Sequence, residues 1–375
     1  MKVCAQRVGY TGKMTSTGRV AKRVSGPIFD VQRARQTVEK GRRAKWWRRR
    51  GSKSKGFFYV DAGGRRVTDK ASLERIAQLV IPPAWRCVRV SPHASSSLQA
   101  VGIDTTGRVQ YKYHPKFSEK QQRKKFSKIV EFGRRLPRLR AVTNEHIATE
   151  GLSREKVLAI MMRLINSLYI RVGTDKSVRH YRTYGITTLA NRHLTIERGG
   201  VLVFEFVGKS HIKHRKVMVD EDLAAAMLEL KDVGPAKKLF HYLDDEGKPR
   251  AVCPADVNRY IKEAAGPEFS AKDFRTWGGT LLAAVRLAEI GKAGDERLAK
   301  KNLVRAIKDV AEQLGNTPTV CRSSYIHPDV IAAYERGVTI DDFRPRQSRR
   351  IRRIESDYEP EEKALLRMLE SADAK

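Results

Sequence analysis

Cysteine is scarce in this chain. Its 375 residues hold four, Cys4, Cys87, Cys253 and Cys321, and none belongs to a Cys-x-x-Cys pair. That spacing argues against both a disulfide framework and a zinc site, and it suits a reducing compartment. Long apolar runs are missing too. The longest, VLAIMMRLINSLYI, is broken by Arg163 and is too short to span a bilayer, so no membrane partner is expected. No apolar h-region opens the chain, so no secretory signal is expected either. Acidic residues are few: 42 Asp and Glu face 75 Lys and Arg, a net charge of +33 with a pI near 10.2. Such self-repulsion is usually carried for the sake of a polyanionic partner, and nucleic acid is the first choice.

What is present supports a folded protein. Hydrophobic residues make up 41%, enough for a core, and the length allows two or three domains at roughly 100–200 residues each. The first 50 residues carry fifteen Lys or Arg and two acids. A transit peptide would share that bias, but a DNA-hugging arm on a cytoplasmic, nucleoid-associated protein is the reading taken here. Residues 1–54 lack apolar periodicity and are expected to be a basic, mostly disordered arm. Residues 55–116 should form a small β-rich module: FFYVDAGGRRV as two short strands, a helix near 71–80, IPPAW as an extended link, then CVRV, LQAVGID and RVQYKYH as strands.

From residue 117 to 343 the pattern becomes helical. EKVLAIMMRLINSLYI places Val157, Met161, Leu164 and Leu168 on one face of an amphipathic helix. Three strands interrupt (HLTIE, VLVFEFV, HIKHRKVMV), and DEDLAAAMLEL, KDFRTWGGTLLAAVRLAEI and NLVRAIKDVAEQLG return to helix, the last capped by Gly315. Residues 344–375 read as a tail, basic and then acidic, with a short amphipathic helix at most. The fold class is therefore α+β.

Several residues in this frame could do chemistry. Gly208-Lys209-Ser210 looks like the end of a phosphate loop, but position 203 is Val within a strand, so no glycine cradle exists. Lys209 then sits at a hairpin tip, either solvated or reaching toward a DNA backbone. Arg171 and Arg275 lie in apolar segments, where an unpaired guanidinium is costly. Either each meets a structural carboxylate, or both converge on a phosphate, which their fork geometry suits. Asp220-Glu221-Asp222 follows a strand but opens a helix, where carboxylates are favoured without any metal. His211 and His214 fall on opposite sides of a strand and make a poor metal pair. Tyr325, in LGNTPTVCRSSYIHP, follows a Gly-Asn-Thr-Pro turn and is either an ordinary core tyrosine or a nucleophile.

The order of these motifs is specific. IRVGTDKSVRHYRTYGITTL, VGKSHIKH, KDFRTWGGT and LGNTPTVCRSSYIHP together resemble the catalytic core of type IB DNA topoisomerases, with the bacterial and poxvirus-like branch nearest. IPPAW and DTTGRVQYKYHP resemble that branch's N-terminal DNA-clamp domain. The resemblance covers roughly residues 55–340. It implies that Tyr325 attacks a DNA phosphodiester to form a 3′-phosphotyrosyl bond, that Arg171 and Arg275 hold the non-bridging oxygens, and that Lys209 protonates the departing 5′ oxygen. Asn316 stands where poxvirus and eukaryotic members carry histidine, and its amide still donates to a phosphate oxygen. Gln110, Tyr111 and Tyr113 match residues that contact bases in the major groove. The implied enzyme is a monomer closing on duplex DNA as a clamp. It needs no cofactor, metal, ATP or small-molecule substrate. A tyrosine recombinase would use a related constellation, yet no His-x-x-Arg lies between KDFRTWGGT and Tyr325. An architectural DNA- or RNA-binding protein would explain the charge and leave the constellation unexplained.

Overall fold

The computed structural model describes residues 31–233, 238–344 and 359–373. The chain divides into two compact units, one ending at His114 and the other beginning at Pro115. The first is β-rich and the second mainly helical, so the chain mixes the two classes of structure.

The expectation of a disordered arm as far as residue 54 fails over residues 31–52. These form α1 (Val31–Val38), a 3-10 turn (Gly41–Lys45) and β1 (Trp47–Ser52). Residues 1–30 of the expected arm lie outside the described residues. β1 is an interior strand, flanked by β2 (Gly56–Val60) and β3 (Arg86–Val90) in an antiparallel sheet of order β2-β1-β3-β4-β5, with β4 at Leu98–Ile103 and β5 at Val109–Tyr113.

Local charge misleads here because the tryptophans and arginines find tertiary partners. Trp46 joins the cluster of Val38, Val101 and Ile103, whereas Trp47 joins that of Ile76, Val90 and Ala100. Arg49 donates to the carbonyls of Pro82 and Trp85, tying the extended IPPAW segment to the sheet. Buried Arg89 pairs with Glu39 at 2.7 Å. Long basic side chains thus lay their stems on the sheet while their heads bond backbone oxygens. α2 (Lys70–Gln78), capped by Asp69 on the Ser72 amide, matches the expected helix. The second expected strand of FFYVDAGGRRV shrinks to one bridge between Val60 and Arg66.

In the second unit α3 (Pro115–Ile147) buries Phe126, Ile129, Phe132, Leu136 and Leu139 along one stripe. α4 (Arg154–Leu168) differs from its expected amphipathic form. Every residue from Val157 to Met162 is buried, so it is the central helix rather than a surface one. Then come α5 (Asp175–Tyr181) and the antiparallel sheet of β6 (Leu194–Glu197), β7 (Val201–Val207) and β8 (Lys213–Val219). α6 (Glu221–Asp232) follows, and then a hairpin absent from the sequence reading, β9 (His241–Leu243) and β10 (Pro249–Ala251). The remaining helices are α7 (Pro254–Ala265), α8 (Ala271–Ile290), α9 (Glu296–Leu314), α10 (Pro318–Ser324), α11 (Pro328–Glu335) and α12 (Pro360–Asp373).

α12 overturns the reading of residues 344–375 as a mere tail, while residues 345–358 lie outside the described residues. Ala364, Leu365, Leu366, Met368 and Leu369 are buried in the same core as α4 and α8. Glu362 makes a two-pronged pair with Arg140 at 2.7 and 2.8 Å and accepts from Trp277 Nε1. Both charged groups are largely shielded, at 4% and 15% side-chain exposure. Deleting one partner strands the other charge. Glu362→Ala is therefore expected to lower unfolding free energy by about 3–5 kcal/mol, read by urea denaturation. Arg140→Ala should cost a similar amount.

Candidate active site

The C-terminal end of α9 organises the site. Gly315 is left-handed (φ 58°), its amide bonds Glu312 O, and the Asn316 amide bonds Ala311 O. This is the double-bonded glycine cap that ends many helices. It leaves the next three carbonyls, of Gln313, Leu314 and Gly315, to find other donors. Each receives one cation from a different element.

Arg171 follows α4 and the left-handed cap residue Tyr169 (φ 54°). Its backbone carbonyl accepts from Ile186 N at 2.8 Å, which fixes its root. Its Nη2 donates to Gly315 O (2.9 Å) and Asn316 Oδ1 (2.6 Å). Arg275, on α8, is 5% exposed. It donates to Leu314 O at 2.7 Å and Tyr169 O at 2.5 Å. Lys216, on β8, donates from Nζ to Gln313 O at 2.6 Å. The helix C-terminus supplies partial negative charge to all three.

Among the described residues no carboxylate neutralises this cluster: none of Arg171, Arg275, Lys209 and Lys216 forms an ion pair. Burial and the neighbouring Arg275 bring Arg171 down to about 10, and burial lowers Arg275 as well. Burial, Arg275 and Arg171 bring Lys216 down to about 8. His214 falls to about 4, through burial first and then the charges of Lys216, Arg171 and Arg275, so it is neutral at pH 7. Two buried donors, Arg275 Nε and Asn316 Nδ2, have no hydrogen-bond partner among the described residues. Uncompensated cations with spare donors form a seat for an anion, and forked guanidiniums match phosphate oxygens.

Tyr325 is the C-cap of α10. The Thr-Pro of LGNTPT, read as a turn, is in fact N-cap and first residue of that helix, with Thr317 Oγ1 accepting from Val320 N. Tyr325 N bonds Cys321 O, and Thr280 Oγ1 lies 3.2 Å from Tyr325 O. Glycine at 279 is required by this approach, since a Cβ there would stand 2.7 Å from Tyr325 O and 3.0 Å from its Cβ. The half-buried Tyr325 ring has the Arg275 guanidinium carbon 5.2 Å from its centroid and Lys125 Nζ at 5.9 Å. Lys125 also donates to Ser324 O, and burial brings it down to about 8.

Lys209 is exposed at the tip between β7 and β8, next to Ser210 and His211, both left-handed (φ 63° and 59°). Arg171, Lys209, His214, Lys216 and Arg275 line one small cleft. The structure thus gathers Arg171, Arg275 and Asn316 at the α9 terminus, with Lys209 on the same cleft and Tyr325 beside Arg275.

Gln110, Tyr111 and Tyr113 belong to the other unit, on edge strand β5. Strand alternation separates them. Tyr111 and Tyr113 share a face, 40% and 46% exposed with rings 6.2 Å apart. Gln110 faces the other way and donates to Asp104 Oδ2 at 2.9 Å. Asp220 has structural work: it caps α6 on Leu223 N and pairs with Arg163 at 3.0 Å. Among the described residues no cluster of His, Cys, Asp and Glu is arranged to hold a metal ion, and no helix is long and apolar enough to cross a membrane.

The sequence reading missed Lys125 and Lys216. Lys216 had a signal: strand alternation puts His214, Lys216 and Met218 on the inward face of β8. Lys125 had none, being one of many lysines on α3.

This helix terminus, with two forked guanidiniums and an adjoining tyrosine, is chemically suited to hold a phosphate. Sequence comparisons place the chain in a family. The family described as the eukaryotic DNA topoisomerase I catalytic core matches residues 114–349, and the bacterial DNA topoisomerase IB N-terminal domain matches residues 56–104. The DNA topoisomerase 1B of Acanthamoeba polyphaga mimivirus is 30% identical over 286 residues, covering 74% of this chain and 84% of that protein. The vaccinia virus (strain Copenhagen) DNA topoisomerase 1B is 25% identical over 241 residues, covering 64% and 73%. DNA topoisomerase 1 of Daucus carota is 29% identical over 180 residues, 46% of this chain and 21% of that protein. The chain belongs to the type IB DNA topoisomerases. Within that class it fits the bacterial and poxvirus-like branch.

Proposed function

We propose that the protein relaxes supercoiled duplex DNA by cutting and resealing one strand through Tyr325. The observation that carries this reading is the carboxylate-free cluster of Arg171 and Arg275 on the α9 terminus, with Tyr325 against Arg275. A phenol is a weak nucleophile at neutral pH until nearby cations favour its phenolate.

In the forward step the Tyr325 oxygen bonds to phosphorus and its proton passes to solvent. The bond between phosphorus and the 5′ oxygen breaks, and Lys209 donates the proton that makes that oxygen a hydroxyl. Arg171 and Arg275 hold the non-bridging oxygens while their negative charge grows, a term that dominates phosphoryl transfer. The Asn316 amide adds a neutral donor where a histidine would add a titratable one. One phosphodiester is exchanged for another, so resealing needs no ATP. The guanidiniums supply the charge stabilisation a metal would otherwise give. While the strand is open, its free end swivels and supercoils are lost. Tyr111 and Tyr113 offer stacked, exposed rings for base edges, and Gln110 reads adenine once it leaves Asp104. We place the enzyme on the chromosome as a monomer.

The test is relaxation of supercoiled plasmid in EDTA without ATP. Relaxed topoisomers are expected, and an absolute need for ATP or a divalent ion would refute the reading. The same assay carries a salt prediction. Phosphate contacts release counterions, so DNA affinity should fall about 10³-fold or more between 50 and 200 mM salt if six or more phosphates are contacted. A flat salt profile would contradict binding dominated by the basic surface.

A further inference from the structure

Two of the three cations on the α9 terminus have a role in the reaction proposed above. The third, Lys216, has none. It reaches Gln313 O, the first of the three consecutive carbonyls left over by the glycine cap. It stands on the strand that leaves the Lys209 hairpin, and its neighbour on the inward face, His214, is wedged between the two elements that matter. A Cβ at Gly208 would lie 2.5 Å from the His214 ring, and one at Gly315 would lie 2.4 Å from it. Phe206, across the hairpin, lies against the same ring at a tilt of 33°, with centroids 5.1 Å apart. Glycine at 208 and at 315 therefore lets His214 dock the hairpin against the helix end, and the Lys216 bond fixes the register of that contact.

A packing role alone does not account for a lysine here. Holding a half-buried ammonium beside two guanidiniums, with no carboxylate paired to it among the described residues, carries a cost that a methionine of similar length would not. What the ammonium provides is a directional, charge-assisted bond to a helix-terminal carbonyl. The bond ties the strand carrying the exposed lysine to the helix end that carries the phosphate clamp. The tip needs such a tie, since Lys209 is exposed and is followed by two left-handed non-glycine residues.

We propose that Lys216 is a positioning residue: its bond to Gln313 O locks the β7–β8 hairpin onto the C-terminal end of α9 and so aims Lys209 at the departing 5′ oxygen. This rests on the reading of Lys209 as the proton donor. Lys216 touches neither phosphate nor leaving group in this scheme, and its effect passes entirely through Lys209.

The experiment is single-turnover cleavage by the full-length protein on two duplexes. One carries an ordinary scissile phosphate; the other has sulfur in place of the bridging 5′ oxygen. A thiolate leaves without a proton, so a fault in delivering one disappears on the sulfur duplex. Lys216→Met is expected to cleave the ordinary duplex ~10²-fold more slowly, the scale of a small misplacement of a catalytic group, and to match the unsubstituted protein on the sulfur duplex. Lys209→Met should show the same rescue. The double variant should be no slower than Lys209→Met alone, because both act on one proton transfer. Lys216→Arg, which keeps a cationic donor, should recover part of the rate.

A deficit of equal size on both duplexes would overturn the proposal, since Lys216 would then act on the phosphate or on folding. Cleavage at the full rate by Lys216→Met would overturn it too. Multiplying losses in the double variant of equal folded fraction would do the same, and the ratio of rates on the two duplexes, taken within one variant, holds even if Lys216→Met is partly unfolded. Failure of the unsubstituted protein to cleave either duplex would instead sink the underlying topoisomerase mechanism.

Discussion

Tyr325→Phe is expected to lose plasmid relaxation by at least about 10⁴-fold, the scale of a deleted nucleophile, while binding DNA as before. The single atom removed is the phenolic oxygen. The backbone of residue 325 is held independently of it, through Tyr325 N on Cys321 O and Thr280 Oγ1 against Tyr325 O. The ring itself rests against Arg275, and phenylalanine fills the same space. Stability and DNA affinity should therefore change little, which separates chemistry from folding. Residual relaxation near the original rate would mean that another residue is the nucleophile.

Arg275→Ala is expected to slow strand cleavage by about 10³-fold at saturating DNA, comparable to loss of a preorganised oxyanion donor. It should also be less stable, because Leu314 O and Tyr169 O both lose their donor inside the core. Arg275→Lys separates the two effects. It keeps the charge and gives up the fork, so it should regain part of the stability and little of the rate. If Arg275→Lys cleaved as fast as the parent, Arg275 would be acting as a point charge and not as a two-pronged clamp on phosphate. Arg171→Lys offers a parallel test at a partner that also holds Asn316 Oδ1.

Much of the fold could be read from periodicity. The helix near 71–80, the strands β3 to β5 and β6 to β8, and the helices α6, α8 and α9 coincide with runs whose apolar spacing is distinct. The Gly315 cap was legible because glycine after a periodic run has a mechanism. The failures share a cause. RRAKWWRRRG looks like a solvated charge run until Trp46, Trp47 and Arg49 find partners distant in sequence. α12 is short and charged at its start, and only Arg140 and Trp277, more than 80 residues upstream, explain Glu362. α10 was hidden by reading Thr-Pro as a turn when it also marks a helix start.

The candidate site divides in the same way. Arg171, Lys209, Arg275, Asn316 and Tyr325 came from motif order and resemblance; the gathering of Arg171, Arg275 and Asn316 at one helix terminus, with Lys209 on the same cleft and Tyr325 beside Arg275, is a property of the folded chain. Lys216 stayed hidden because its partner is a backbone carbonyl 97 residues away. No side-chain pattern announces a free carbonyl. It becomes visible only once the cap of α9 has used up its neighbours.

The most direct test of the account is to trap the cleaved intermediate and map its linkage. A duplex labelled on one strand, at either end in separate reactions, would be incubated with the protein in EDTA and quenched with detergent. The account requires label to migrate with the protein only when it lies on the 5′ side of the break, with the peptide containing Tyr325 attached to a 3′ phosphate and a free 5′ hydroxyl on the departing strand. Protein attached through a 5′ phosphate, attachment at another residue, or cleavage with no covalent adduct would contradict it.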